Sequence, residues 1–181
     1  LVLRFPTNSV GDTSSPTFSN KVFVSSIIRF LSRNNPLIYS LHKNSDKIQF
    51  DFLVTRGTKK YYDNEIEELG GHVYYLPPFR FYNYFQYIGA CKKFFADHKG
   101  EYSAVHGHMT STASMYLPIA KKSGVPLTIA HARSAGVDPG IKGKLTKWLR
   151  RSLPSKCDMM LSCSDEASVA VFGKASDRVK F

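Results

Sequence analysis

A three-layer α/β sandwich on a mainly parallel sheet is the fold this sequence predicts, and three observations predict it. From Lys47 onward, short apolar runs of strand length alternate with longer runs of helical period. Glycine and proline stand at the joints, where a helix must stop or a loop begin. The stretch from Ser103 to Gly136 holds a whole strand–helix–strand unit in about thirty residues, the span of one right-handed parallel crossover.

Residues 1–46 carry the weakest signals. Asn8 to Asn20 is rich in Ser, Thr, Gly and Pro and reads as loop. Val22 to Leu31 is apolar without a clean period, and Pro36 interrupts the residues after it. In a doubly wound domain the first strand lies between the second and the fourth. Residues 22–30 are the one stretch before Lys47 long and apolar enough for that slot.

Next comes a strand over Ile48–Val54, where Ile48, Phe50, Phe52 and Val54 alternate with Gln49, Asp51 and Leu53. Arg56-Gly57 turns the chain. Asp63 is expected to cap a short helix with Glu65, Glu67 and Glu68 near its positive end and Ile66 and Leu69 facing inward. Gly70-Gly71 ends that helix, and His72–Leu76 is the next strand. Pro77-Pro78 forces an extended loop, in which Phe79, Arg80 and Phe81 suit a sugar platform or a bilayer interface. A helix over 82–98 comes after it, with Tyr84, Tyr87, Ile88, Cys91 and Phe95 as its buried stripe.

The central unit opens with Ala104-Val105 running into His106-Gly107-His108. Thr110 and Ser111 can each cap a helix whose apolar positions are Ala113, Tyr116, Leu117 and Ala120. Gly124 suits the left-handed residue after a helix, and Pro126 prevents resumption. Pro126–Ala130 then delivers His131, Arg133 and Ser134 into a Gly-containing loop. In open α/β sheets ligands bind beyond the carboxyl ends of the strands. Both strands of this unit end in histidine, which marks the candidate site.

Asp138-Pro139-Gly140 is a turn, and Lys142–Leu153 reads as a basic amphipathic helix. Its Leu145, Trp148, Leu149 and Ser152 share one face; Lys142, Lys144, Lys147, Arg150 and Arg151 dominate the rest. Cys157–Ser164 is a buried strand, Ser164 caps a helix that Gly173 closes, and Val179-Lys180-Phe181 starts another strand.

The chain has 181 residues, 43% of them hydrophobic, enough for one domain with a core. No apolar run approaches the ~18 residues of a membrane span. The start, Leu1-Val-Leu-Arg-Phe-Pro6, is too short for a secretory signal, and a first residue other than Met suits a piece of a longer protein. Cys91, Cys157 and Cys163 lack metal-type spacing and fit buried thiols in a reducing, cytoplasmic setting. A net charge of +11 points to nucleic acid, an anionic membrane face, or a phosphorylated or lipid-linked substrate. The basic residues are dispersed and no RNA-binding signature or zinc finger accompanies them, which disfavours nucleic acid.

The pattern V-H-x-H at Val105–His108, then a small-residue helix, Gly124-Val-Pro126 and a strand ending in His131, resembles the amino-terminal domain of family 4 glycosyltransferases of GT-B fold. The likeness extends through Lys47–Val54, Gly70-Gly71, Asp138–Gly143 and Cys163–Gly173, covering roughly residues 47–181. It is closest to polysaccharide-assembling members. The resemblance implies a Rossmann-like domain, the acceptor half of a retaining enzyme that moves a sugar from a nucleotide-sugar donor without a metal. It also implies a glycan or lipid-linked acceptor and a place in the cytoplasm, peripheral on the inner membrane face. By resemblance His131 is the catalytic histidine at the donor sugar, and His106 and His108 bind substrate in the acceptor cleft. Arg133 and Ser134 stand where many relatives carry other polar residues and, with Thr110, are expected to bind substrate, Arg133 by engaging phosphate. The family's Gly-Gly turn after the first strand has no counterpart here, where Gly11 is the only glycine before Lys47. The donor-binding half lies outside the 181 residues, so this stretch alone is expected to be inactive and to bind nucleotide-sugar weakly.

Other readings compete. His106, His108 and His131 suit a three-histidine zinc site, since alternate strand residues share a face, although no carboxylate stands out beside them. The basic composition also fits a non-catalytic module on anionic lipid or lipid-linked glycan. A third reading is the remnant of a broken gene.

Overall fold

The structure, a computed structural model, describes residues 21–25, 49–55, 61–68, 70–108, 110–137 and 139–180. Among the described residues six strands form one sheet: β1 (Lys21–Ser25), β2 (Gln49–Val54), β3 (Val73–Tyr75), β4 (Ala104–Gly107), β5 (Leu127–Ala132) and β6 (Met159–Ser162). Their order is β3-β2-β1-β4-β5-β6, and every pairing is parallel. This is the Rossmann-like α/β arrangement expected. The central slot is filled by Lys21–Ser25, with Val24 beside Phe52 on one side and His106 on the other. The remainder of the 22–30 stretch, the 8–20 loop, Pro36, Ile48, the Arg56-Gly57 turn, Leu69, Asp138 and Phe181 lie outside the described residues.

The connecting helices are α1 (Tyr61–Glu68), α2 (Tyr84–Asp97), α3 (Thr110–Lys122), α4 (Ile141–Arg151) and α5 (Asp165–Phe172). Right-handed crossovers that run in opposite directions along a sheet put their helices on opposite faces. The β2-to-β3 step therefore carries α1 on one face, while the steps from β3 through β6 carry α2, α3 and α4 on the other. In keeping with this, α3 packs against both α2 and α4. The main core lies beneath these helices, where Tyr87, Cys91, Phe95, Tyr116 and Leu117 meet Leu53, Val105 and Ala130.

Local chemistry explains the ends of the elements. Gly70 adopts φ +81°; its N–H donates to the Glu67 carbonyl at 3.0 Å and that of Gly71 to the Ile66 carbonyl at 3.0 Å. That double closure is the Schellman motif, and Gly124 repeats it after α3. Ser164 caps α5 by accepting from the Ala167 N–H at 3.2 Å, and Gly173 closes it at φ +56°. Lys180 forms a parallel bridge with Leu161, the start of the further strand expected there.

Several expectations need correction. Asp63 does not cap α1: it lies inside the helix, buried, and accepts the Tyr75 hydroxyl proton at 2.6 Å. The alternation along β2 does not separate core from solvent, because Asp51, Phe52, Leu53 and Val54 are all buried, as in a parallel strand covered on both faces. Asp51 tolerates this by accepting from Tyr102 Oη and from the His72 N–H, each at 2.9 Å. In α2 the buried residues are Tyr87, Cys91, Phe94 and Phe95, whereas Tyr84 is exposed. Of the cysteines only Cys91 is buried; Cys163 is exposed.

Gly71 is fixed by sterics. A Cβ there would lie 2.3 Å from the Phe50 carbonyl oxygen, a backbone atom of β2 that cannot swing aside. At Gly89, mid-helix in α2, a Cβ would meet nothing within 4 Å. We expect Gly71→Ala to cost about 1–3 kcal/mol through overpacking. Gly89→Ala should add up to about 1 kcal/mol through helix propensity. Urea unfolding of the two variants checks the opposite signs; equal shifts would contradict this packing at Gly71.

Candidate functional site

The chain leaves β1 for β2 and β3 on one side and returns to β4, β5 and β6 on the other. In such sheets the ligand crevice lies beyond the carboxyl ends of the strands flanking the reversal, here β1 and β4. His106 is the third residue of β4, and His108 comes two residues later on the same face. Gly107 pairs with Ala130, so continuing the register brings His108 level with His131 of β5. Strand pairing alone thus converges three imidazoles at the sheet's carboxyl edge.

Their geometry is close. His106 Nε2 lies 3.1 Å from His131 Nδ1, so one ring donates and the other accepts. The ring centroids are 4.3 Å apart for His106 and His108, 5.2 Å for His106 and His131, and 5.0 Å for His108 and His131. Both ring nitrogens of His108 are buried and, among the described residues, have no hydrogen-bond partner. Burial is the main cause that pulls the pKa values down, to about 3 for His106, about 2 for His108 and about 4 for His131; the Arg133 charge adds to it for each. At neutral pH all three rings are therefore uncharged. A protonated imidazole facing a phosphate is not what this site offers; it offers neutral donors and acceptors.

Of the other candidate residues, Thr110 is buried at the first turn of α3. Arg133 is exposed just beyond β5, close enough for its charge to reach all three histidines. Ser134 is exposed, and its hydroxyl accepts from the Gly136 N–H at 3.1 Å, a turn-forming role. His72 stands apart at the head of β3, bonded to Asp51. Gly107 escaped the residue-by-residue reading. A Cβ there would fall 2.6 Å from Tyr116 Oη and 3.3 Å from the Ala113 Cβ, so glycine lets α3 sit directly on β4, on the face opposite the two histidines. Its position inside V-H-x-H was the available signal.

A second concave feature, of about 780 Å³, runs between α2, α3 and α4. Phe79, Phe81, Tyr84, Met115, Leu145 and Trp148 are among its lining residues, with Arg151 and Lys156 in the same wall. Tyr82, Phe85 and Trp148 are 85%, 86% and 67% exposed. The expected apolar face of α4 is therefore not buried in the core, and Arg150, expected on the solvated side, is half-buried with Nε and Nη1 lacking partners. Burial lowers the Arg150 pKa.

No protein-family model matches the chain. It is 27% identical over 145 residues to a Bacillus subtilis (strain 168) protein named "Putative glycosyltransferase EpsF", an alignment covering 77% of this chain and 38% of that protein. Its fold matches the crystal structure of Anabaena Alr3699/HepE in complex with UDP and glucose with a TM-score of 0.57 and 12% identity, over 90% of this chain and 43% of that one. The chain thus spans under half the length of each. In sequence the chain is similar to a protein named a putative glycosyltransferase, and its fold is similar to part of a chain solved with UDP and glucose. Among the described residues no helix is long and apolar enough to cross a membrane.

The depressed histidine pKa values make stability pH-dependent. The unfolded chain takes up protons near pH 6.5, whereas the folded rings resist until about pH 4 to 2. Their contribution is fully present above pH 6.5 and is lost as pH falls below it, by at most about 1.4 kcal/mol per pH unit for each ring. His108→Gln should flatten the decline between pH 6.5 and 4. A wild-type stability independent of pH in that window would show that the rings are solvated.

Proposed function

We propose that this chain is the amino-terminal, acceptor-side half of a retaining glycosyltransferase of the family 4 type. In this reading the parent enzyme moves a sugar from a UDP-sugar to a glycan or lipid-linked acceptor in cell-surface polysaccharide synthesis. The observation that carries it is the set of three uncharged imidazoles at the carboxyl ends of β4 and β5, beside the strand reversal. A neutral His131 ring accepts from, or donates to, a hydroxyl of the donor sugar and holds its anomeric carbon toward the acceptor. The unpartnered nitrogens of His108, with His106, meet acceptor hydroxyls. Thr110 contributes at the start of α3. Arg133, beyond the carboxyl end of β5 with Ser134, meets the negative charge that develops on the departing phosphate, which the neutral rings cannot do. This chemistry needs no metal.

The aromatic groove between α2 and α4 supports placement on a membrane. Exposed Trp, Tyr and Phe beside Lys and Arg suit the headgroup region of an anionic bilayer, where the rings enter the interface and the cations meet lipid phosphates. Docking there on the cytoplasmic face would bring a lipid-linked acceptor to the histidine edge.

The test is radiolabelled sugar transfer by a protein in which this chain precedes a donor-binding domain. His131→Ala should lower turnover roughly 10²- to 10³-fold while leaving the melting midpoint nearly unchanged. Residues 1–181 alone should show no transfer. Near-normal transfer by the variant would make His131 structural. For the membrane, Trp148→Ala together with Phe81→Ala should reduce sedimentation with phosphatidylglycerol vesicles, and added salt should weaken the wild type. Vesicle binding unaffected by both would remove the groove from the membrane reading.

A further inference from the structure

The three histidines have a second chemical capacity that sugar transfer does not use. Each offers a ring nitrogen, and the three nitrogens lie within 4.8 Å of one another. Zinc–imidazole bonds of about 2.0–2.1 Å set tetrahedral ligand atoms about 3.4 Å apart. His106 Nε2 and His131 Nδ1 are already 3.1 Å apart, so the widest pair need close by only about 1.4 Å, within reach of side-chain torsions.

We propose that His106, His108 and His131 form a binding site for one first-row transition cation of the zinc type, with a fourth coordination position left open. The strands that present His106 and His131 are paired on both sides, β4 between β1 and β5 and β5 between β4 and β6, and His108 follows β4 directly, so the sheet preorganises two of the ligands and sets the start of the third. Burial keeps the rings neutral, and a neutral imidazole presents the lone pair a metal takes. His108 holds two buried nitrogens with no hydrogen-bond partner, and a cation would give one of them a partner. Imidazole ligands suit zinc, copper, nickel and cobalt; the cluster contains no carboxylate, which selects against magnesium and calcium. Arg133 opposes any cation here, so its charge weakens the site. The proposal concerns the cation alone and stands or falls without the transfer reading.

The test is titration of the metal-free chain with Co²⁺ followed by visible absorption, then displacement with Zn²⁺. The expected result is one equivalent bound with the intense bands of four-coordinate cobalt, displaced by Zn²⁺ and not by Mg²⁺. His108→Ala should weaken binding at least about 10- to 100-fold. Arg133→Ala, at an exposed position just beyond β5, should tighten it, a sign that general damage to the fold does not produce. Absence of four-coordinate absorption in the wild type would overturn the site. So would undiminished binding by His108→Ala, which would move the metal to other histidines. Weaker or unchanged binding by Arg133→Ala would equally count against a cation seated among these three rings.

Discussion

Everything in this domain depends on β1 being paired along both edges. A strand in the middle of a parallel sheet supplies hydrogen-bonding partners to two neighbours, and each buried backbone group left unpaired costs about 1–3 kcal/mol. Val22, Phe23 and Val24 each have partners on both β2 and β4, so five residues join two halves that would otherwise end as open edges. The same pairing sets the register in which His106 lies beside Val24. It also makes β1 and β4 the strands at which the chain reverses direction, and so locates the candidate site. The weakest segment of the sequence therefore holds the most constrained place in the fold.

Two buried polar groups show how structure and site differ in this sheet. Asp51 on β2 is almost wholly enclosed, yet its two oxygens accept from Tyr102 and from the His72 backbone. It is a satisfied structural carboxylate, joining β2 to the residues ahead of β3 and β4. His108 is half-buried with both ring nitrogens covered, and among the described residues neither nitrogen has a hydrogen-bond partner. A polar group kept in that condition is what a ligand site requires and what a purely structural core avoids. Gly107 between the two histidines completes the contrast, because its lack of a side chain brings α3 down onto the face of β4 opposite the imidazoles.

On the helical face the packing is incomplete in an informative way. Helices α2 and α3 share a conventional core of Tyr87, Cys91, Phe95, Tyr116 and Leu117. Helix α4 does not complete it: Leu145 and Leu149 are only partly covered, and Trp148 stands open beside Phe81 and Tyr84. Apolar side chains lining a groove bordered by Arg151 and Lys156 differ from scattered surface hydrophobes, and they give part of the +11 charge a definite location.

The alternation of element types, the strands from Gln49 to Ser162 and the glycine stops at Gly70, Gly124 and Gly173 were legible in the sequence, because each rests on local periodicity or on one residue's backbone freedom. His106, His108 and His131 could be nominated because they end strands, and strand ends in such sheets face ligands. What local pattern could not supply was which side chains are covered by distant chain. Asp63 has the sequence context of a cap, yet Tyr75 reaches it from another strand; Tyr84 and Trp148 have the spacing of core residues without the neighbours to bury them. Likewise the 3.1 Å approach of His106 to His131, the orphaned nitrogens of His108 and the loss of charge on all three rings depend on strands 25 residues apart lying side by side. Burial and through-space distance are properties of the assembled sheet, so only the tertiary structure decides them.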